Sequence, residues 1–286
     1  MKIEKGDALT QNDLSIFNSQ FSISDAKRPI GIFDSGVGGL TVFREIARAL
    51  PHHPLIYLGD SARVPYGTKS PQTVTRYSLE AAQHLMERGI RMLVVACNTA
   101  TAAALPVLQE RLSIPVIGVV EPGARAAVAK TRGRVGVIAT EGTVKSRAYT
   151  IAIKKLDPKI EVIETAAPLF VPLAEEGWAN THVAREVAGI YLEPLIDANI
   201  DTLVLGCTHY PILRGTIESV VGDKVTIVDS AETTAQRVKS EIGDTPADGR
   251  PEHCFLVTDS EDRFKRIAAD FLDHEIEKLE VVSLSS

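Results

Sequence analysis

Short apolar runs alternate along most of the chain with longer stretches in which apolar and polar positions interleave. The runs cover 29–33, 55–58, 92–96, 116–120, 135–138, 160–163, 202–205, 225–228 and 254–257. Continuous runs of this length, rich in Val, Ile and Leu, predict strands buried on both faces, with amphipathic helices between them, which is the pattern of a parallel α/β protein. Polar residues and glycines gather just after several runs, as in Asp34-Ser35-Gly36, Asn98-Thr99 and Thr208-His209. Open α/β sheets bind ligands at the carboxyl ends of their strands, so chemistry is expected there. Residues 1–27 are polar and aperiodic and read as a tail or an added helix, not as a core element.

The pattern also repeats. Ile30-Gly31-Ile32-Phe33 before Asp34-Ser35-Gly36 is matched by Val135-Gly136-Val137-Ile138 before Ala139-Thr140-Glu141-Gly142. Leu93-Val94-Val95-Ala96-Cys97-Asn98-Thr99 is matched by Leu203-Val204-Leu205-Gly206-Cys207-Thr208-His209, and 116–121 more loosely by 225–229. Three matches in one order, at similar shifts, predict an internal duplication. The expected fold is therefore two similar doubly wound parallel-sheet domains, related by a pseudo-two-fold axis, with the active site in the cleft between them.

Composition narrows the function. A chain of 286 residues can bury two cores. A formal charge of −6 leaves no basic footprint for nucleic acid or an anionic membrane. The apolar runs fall far short of the roughly 20 residues that cross a bilayer, and the start of the chain shows no secretory signal, so a cytoplasmic protein with a small-molecule partner is expected. Three cysteines without a C-x-x-C spacing argue against a disulfide framework or a zinc site and leave free thiols. Cys254 begins an apolar run and reads as core, whereas Cys97 and Cys207 end equivalent runs and are followed at once by hydrogen-bonding side chains.

Two thiols facing each other across a cleft suit one kind of chemistry. Inverting a stereocentre by proton transfer needs one group to take a proton from one face and a second to deliver one to the other. A free thiol titrates near pH 8.5 and can serve in either state close to neutrality.

The chain resembles the cofactor-independent aspartate/glutamate racemase family, and within it the glutamate branch. The resemblance is carried by Gly31-Ile32-Phe33-Asp34-Ser35-Gly36-Val37-Gly38-Gly39-Leu40, Pro65-Tyr66-Gly67, Val95-Ala96-Cys97-Asn98-Thr99-Ala100, Gly118-Val119-Val120, Gly142-Thr143-Val144 and Leu205-Gly206-Cys207-Thr208-His209-Tyr210-Pro211. It implies an isomerase that interconverts L- and D-glutamate with no cofactor and no metal and supplies D-glutamate for peptidoglycan. Cys97 would exchange the α-proton with D-glutamate and Cys207 with L-glutamate. Asp34 would stand close to the first thiol and the substrate ammonium, although a helix N-cap suits that Asp equally well. His209 would assist Cys207, with Glu175 or its neighbour Glu176 as the second carboxylate. Ser35, Asn98, Thr99 and Thr208 would hydrogen-bond the substrate, and Tyr66 and Gly67 would offer its side-chain carboxylate a hydroxyl and backbone amides. Gly36, Gly38 and Gly39 would let the backbone approach an anion.

The resemblance also implies a discontinuous first domain, 28–124 with 236–286, and a second at 125–235. Some members carry an N-terminal extension and respond to UDP-N-acetylmuramoyl-L-alanine, which gives 1–27 a regulatory expectation. Others form homodimers. The competing readings are an aspartate racemase of the same family and a two-domain module that binds a small ligand.

Overall fold

The computed structural model describes residues 28–243 and 251–284. The regulatory reading of 1–27 therefore lies outside the described residues. Ten strands form two sheets among the described residues, and every pairing is parallel. The first contains β1 (Ile30–Asp34), β2 (Leu55–Gly59), β3 (Met92–Val95), β4 (Val116–Gly118), β9 (Cys254–Val257) and β10 (Leu279–Val281), in the order β10-β9-β2-β1-β3-β4. The second contains β5 (Arg134–Ala139), β6 (Glu161–Ala166), β7 (Thr202–Gly206) and β8 (Thr226–Asp229), in the order β6-β5-β7-β8.

All nine apolar runs contribute strands. Strands β1, β2, β3 and β7 are buried at every position, as expected where helices cover both faces. The four strands β2-β1-β3-β4 and the four strands β6-β5-β7-β8 have the same order, and the two cysteines follow the third strand of each set. The repeat in the sequence is thus a repeat in topology. Two expectations shift. Strand β4 stops at Gly118, and Val120 opens a helix instead of extending the run. Strand β10 was not foreseen, because an edge strand of three half-exposed residues carries no apolar run.

The helices in order are α1 (Leu40–Ala49), α2 (Pro71–Glu87), α3 (Asn98–Arg111), α4 (Val120–Lys130), α5 (Glu141–Ser146), α6 (Ala148–Leu156), α7 (Phe170–Glu175), α8 (His182–Asp197), α9 (Arg214–Val221), α10 (Ser230–Ile242) and α11 (Glu261–Leu272). Side chains start several of them: Ser70 accepts from Thr73 N–H ahead of Pro71, Thr181 from Ala184 N–H, and Asp229 from Ala231 N–H. The domain boundaries expected at 124/125 and 235/236 fall inside α4 and α10. Helix α4 packs on β7, β8 and α6, so its packing lies with the second sheet, and α10 packs on α1 and α4. One apolar core accordingly runs from Ile30, Leu40 and Phe43 of the first set to Leu203, Leu213 and Val238 of the second. No described helix is long and apolar enough to cross a membrane.

Candidate active site

Both cysteines sit at the carboxyl ends of their sheets and open into one cavity of about 190 Å³. It is lined from the first set by Ser35, Gly36, Val64, Pro65, Tyr66, Gly67, Cys97, Asn98 and Thr99, and from the second by Thr140, Val171, Pro172, Glu175, Cys207, Thr208 and His209. Of the residues expected at the site, Asp34, Gly38 and Gly39 are missing from this lining.

Cys97 follows β3 and caps α3, where its Sγ accepts from Ala100 N–H at 3.4 Å. A helix start favours a thiolate. Burial opposes it and, with the Asp34 carboxylate adding to the effect, pushes the thiol up to about 12, while the Ala100 amide and the Ser35 hydroxyl pull the other way. The thiol form of Cys97 is therefore favoured at neutral pH.

Asp34 ends β1 and is fully buried behind the cavity wall. The N-cap reading is not realised: Gly39 caps α1 without a side-chain hydrogen bond, and Asp34 Oδ2 instead accepts from Gly36 N–H at 2.9 Å. Its Oδ1 has no hydrogen-bond partner. Burial raises the Asp34 carboxyl above its usual range, against the charge of His209 and the amides of Gly36, Gly39 and Ser35. Asp34 thus acts on Cys97 through its charge and from behind, and its expected contact with substrate is not seen in the cavity lining.

Cys207 is supported differently. It follows β7, and its Sγ lies 3.8 Å from His209 Nδ1, while His209 Nε2 meets Glu175 Oε1 at 3.0 Å. Glu175 is the last residue of α7. It, and not Glu176, is the carboxylate on the imidazole. Burial works against a charged ring, but the hydrogen bonds to Cys207 and Glu175 outweigh it and hold His209 up to about 10. For Glu175 burial is likewise outweighed, by His209 and Arg263, which keep its carboxyl below the usual range. A protonated imidazole, donating through both nitrogens, links the thiol to a carboxylate at neutral pH.

The remaining donors divide into those free to meet a ligand and those already taken. Asn98 Oδ1 accepts from the Tyr149 hydroxyl at 2.7 Å, which fixes the amide and leaves its buried Nδ2 without a partner. Thr99 Oγ1 lies 2.8 Å from Thr140 Oγ1 across the cleft. The Tyr66 hydroxyl is not available to a carboxylate: the ring is buried and the hydroxyl donates to Asp60, which also accepts from Arg63 at 2.7 Å and Thr258 at 3.0 Å. Tyr66 and Gly67 both line the cavity, and the hydroxyl of the first is held by Asp60.

Two of the glycines are also required by close packing. A Cβ on Gly38 would lie 2.4 Å from His209 Cε1, His209 Nδ1 and Thr208 Oγ1, and one on Gly67 would lie 2.8 Å from Thr140 Cβ. Gly38 and Gly67 thus let the two halves approach each other at the cleft, whereas a Cβ on Gly36 would meet Val64 and one on Gly39 would meet Asp34, both of their own half.

Sequence reading missed Thr140, Tyr149 and Asp60. Thr140 had a signal, because it occupies in the second repeat the place of Ser35 in the first. Tyr149 and Asp60 had none, since their partners are brought to them only by the fold.

The model of the family described as Asp/Glu/Hydantoin racemase matches residues 30–238. A glutamate racemase of Geobacter metallireducens is 56% identical over 265 residues, spanning 91% of this chain and 98% of that protein. Among solved structures, a glutamate racemase isoform of Bacillus anthracis superposes with a TM-score of 0.87 at 42% identity, over 91% of this chain and 98% of that one. Glutamate racemase of Francisella tularensis, solved in complex with D-glutamate, gives 0.85 at 38% identity, over 91% and 99%. With two buried thiols in one cleft and this degree of likeness across most of its length, the chain belongs to the Asp/Glu/hydantoin racemase family.

Proposed function

We propose that this chain interconverts L- and D-glutamate by direct proton transfer at Cα, with Cys97 and Cys207 as the two acid/bases. The observation that carries the reading is that the two thiols follow equivalent strands and line one cavity from its two sides. The close relatives are glutamate racemases, which supports glutamate over aspartate as the substrate.

In the forward direction the Cys207 thiolate takes the α-proton of L-glutamate, the electron pair moves onto Cα and its carboxylate, and Cys97 S–H gives its proton to the opposite face. Cys97 is then the thiolate and Cys207 the thiol, so the reverse reaction starts from the state that the forward one leaves. No covalent intermediate forms. The charged His209 ring stabilises the Cys207 thiolate, and Glu175 keeps that ring charged. Asn98 Nδ2, fixed by Tyr149 and otherwise unpartnered, is placed to donate to the charge that develops on the substrate, as are the backbone amides of Tyr66 and Gly67. Ser35 lines the cavity on the side of Cys97 and Thr208 on the side of Cys207.

Two domains hinged through α4 and α10 would open and close this cleft, and closure would exclude water from the carbanion. The reading places the enzyme in the cytoplasm, supplying D-glutamate for peptidoglycan. The test is circular dichroism of each enantiomer with purified protein and no added cofactor. Loss of signal from both glutamate enantiomers is expected. Inversion of aspartate alone would correct the substrate, and inversion of neither would overturn the reading.

A further inference from the structure

Helix α11 follows β9 of the first sheet, yet two of its side chains end on the support of the second thiol. Arg263 Nη2 donates to Glu175 Oε2 at 2.8 Å, while the other oxygen of the same carboxylate meets His209 at 3.0 Å. Farther along the helix, the Phe271 ring meets the imidazole edge-on, with centroids 5.6 Å apart and planes at 82°. Phe264 anchors the helix to its own side, buried and 6.1 Å from the Tyr57 ring. The Glu175 carboxylate therefore has one oxygen on each half of the molecule. Cys97 has no such arrangement, for Asp34, Ser35 and Ala100 all belong to its own half.

Arg263 is half exposed, so as an ion pair it adds little to stability. Its effect is on direction. A carboxylate at the end of a short helix can rotate about its side-chain bonds, and anchoring one oxygen fixes where the other points. Glu176 Oε1, 3.7 Å from the same guanidinium nitrogen, lies farther away than the Glu175 oxygen.

We propose that Arg263 is a positioning residue: by holding Glu175 Oε2 from the opposite half, it keeps Oε1 on His209, so that the imidazole is aligned on Cys207 only while α11 is docked against α7. The inference rests on the two-thiol reading and adds to it that closure of the cleft prepares one thiol and not the other.

The experiment uses the full chain, with Arg263→Ala, Arg263→Lys, Glu175→Gln and the double variant Arg263→Ala/Glu175→Gln. Because enantiomers have equal free energy, kcat/KM must fall equally in the two directions, so the asymmetry is read in deuterium isotope effects. For Arg263→Ala we expect a loss in kcat/KM of about tenfold. The isotope effect should rise for α-deuterated L-glutamate, whose proton Cys207 removes, and fall for α-deuterated D-glutamate. Arg263→Lys should restore most of the activity, and in the Glu175→Gln background Arg263→Ala should change kcat/KM by less than about twofold. Unchanged kinetics in Arg263→Ala, equal movement of both isotope effects, or a full additional loss in the double variant would overturn the proposal. A wild-type chain inactive on glutamate would instead remove the reading beneath it.

Discussion

The two thiols sit on repeated strands, but their surroundings are not copies of each other. Cys97 is backed by a buried carboxylate, a helix start and a serine hydroxyl, all from its own half. Cys207 is backed by a charged imidazole and a carboxylate, with the opposite half reaching that pair through Arg263 and Phe271. Burial, with the Asp34 charge adding to it, raises the Cys97 thiol, whereas the group beside Cys207 is an imidazole that Glu175 holds toward its charged form. The backbone symmetry brings the two thiols to one cavity from equivalent strands, and the asymmetry gives them different neighbours. On the two-thiol reading, the duplication supplies the geometry of inversion, and the divergence of the neighbours distinguishes its two directions.

The comparison is tested most severely by the thiols. Cys97→Ser and Cys207→Ser should each lower kcat for racemisation by about 10³-fold, the loss of a full acid/base partner, as measured by circular dichroism with either enantiomer. If one of them retains most of its activity, a single thiol suffices and the pairing is incidental.

Next come the two supports. His209→Asn should cost about 10²-fold in kcat/KM and load the barrier onto Cys207, raising the isotope effect with α-deuterated L-glutamate. Asp34→Asn should move the isotope effects the opposite way, by loading the barrier onto Cys97. It should also lower the pH at which Cys97 becomes alkylated by iodoacetamide, because the carboxylate that raises the thiol is gone. Isotope effects moving in the same direction in both variants would erase the distinction between the two sides.

The smallest effect concerns stability. A His209 raised to about 10 in the folded chain, against about 6.5 unfolded, contributes stability that is fully present below pH 6.5 and is lost as pH rises through 10. Over that window the melting temperature of His209→Asn should fall less steeply than that of the wild type. Parallel curves would mean that the ring is not held charged.

How much of this was legible in the sequence follows the same division. Strands, their repeat and both thiols were readable because each is a local pattern: a Val- and Ile-rich run ending in Cys and a hydrogen-bonding residue. Cys97, Asn98 and Thr99 occupy adjacent positions, so finding one finds all three. The support of Cys207 was readable only in part, since Glu175 lies 34 residues from His209 and was separable from Glu176 only by the fold. Arg263 and Phe271, in a helix beyond β9, carry no signal of their own that links them to Cys207. For Tyr66 the resemblance implies a hydroxyl offered to the substrate, and nothing nearby in the chain reveals that Asp60 accepts from it. Strand β10 was silent because its half-exposed edge position places no demand for an apolar run.

The central claim is that two different groups serve the two faces of Cα, and its most direct test is racemisation of L-glutamate in deuterium oxide, stopped at low conversion and read by proton NMR after the enantiomers are separated. The account predicts D-glutamate carrying deuterium at Cα while the remaining L-glutamate keeps its protium, because the proton that Cys207 removes is never the one that Cys97 delivers. D-glutamate retaining the substrate's own proton would mean that one group works both faces, and the two-thiol account would be wrong.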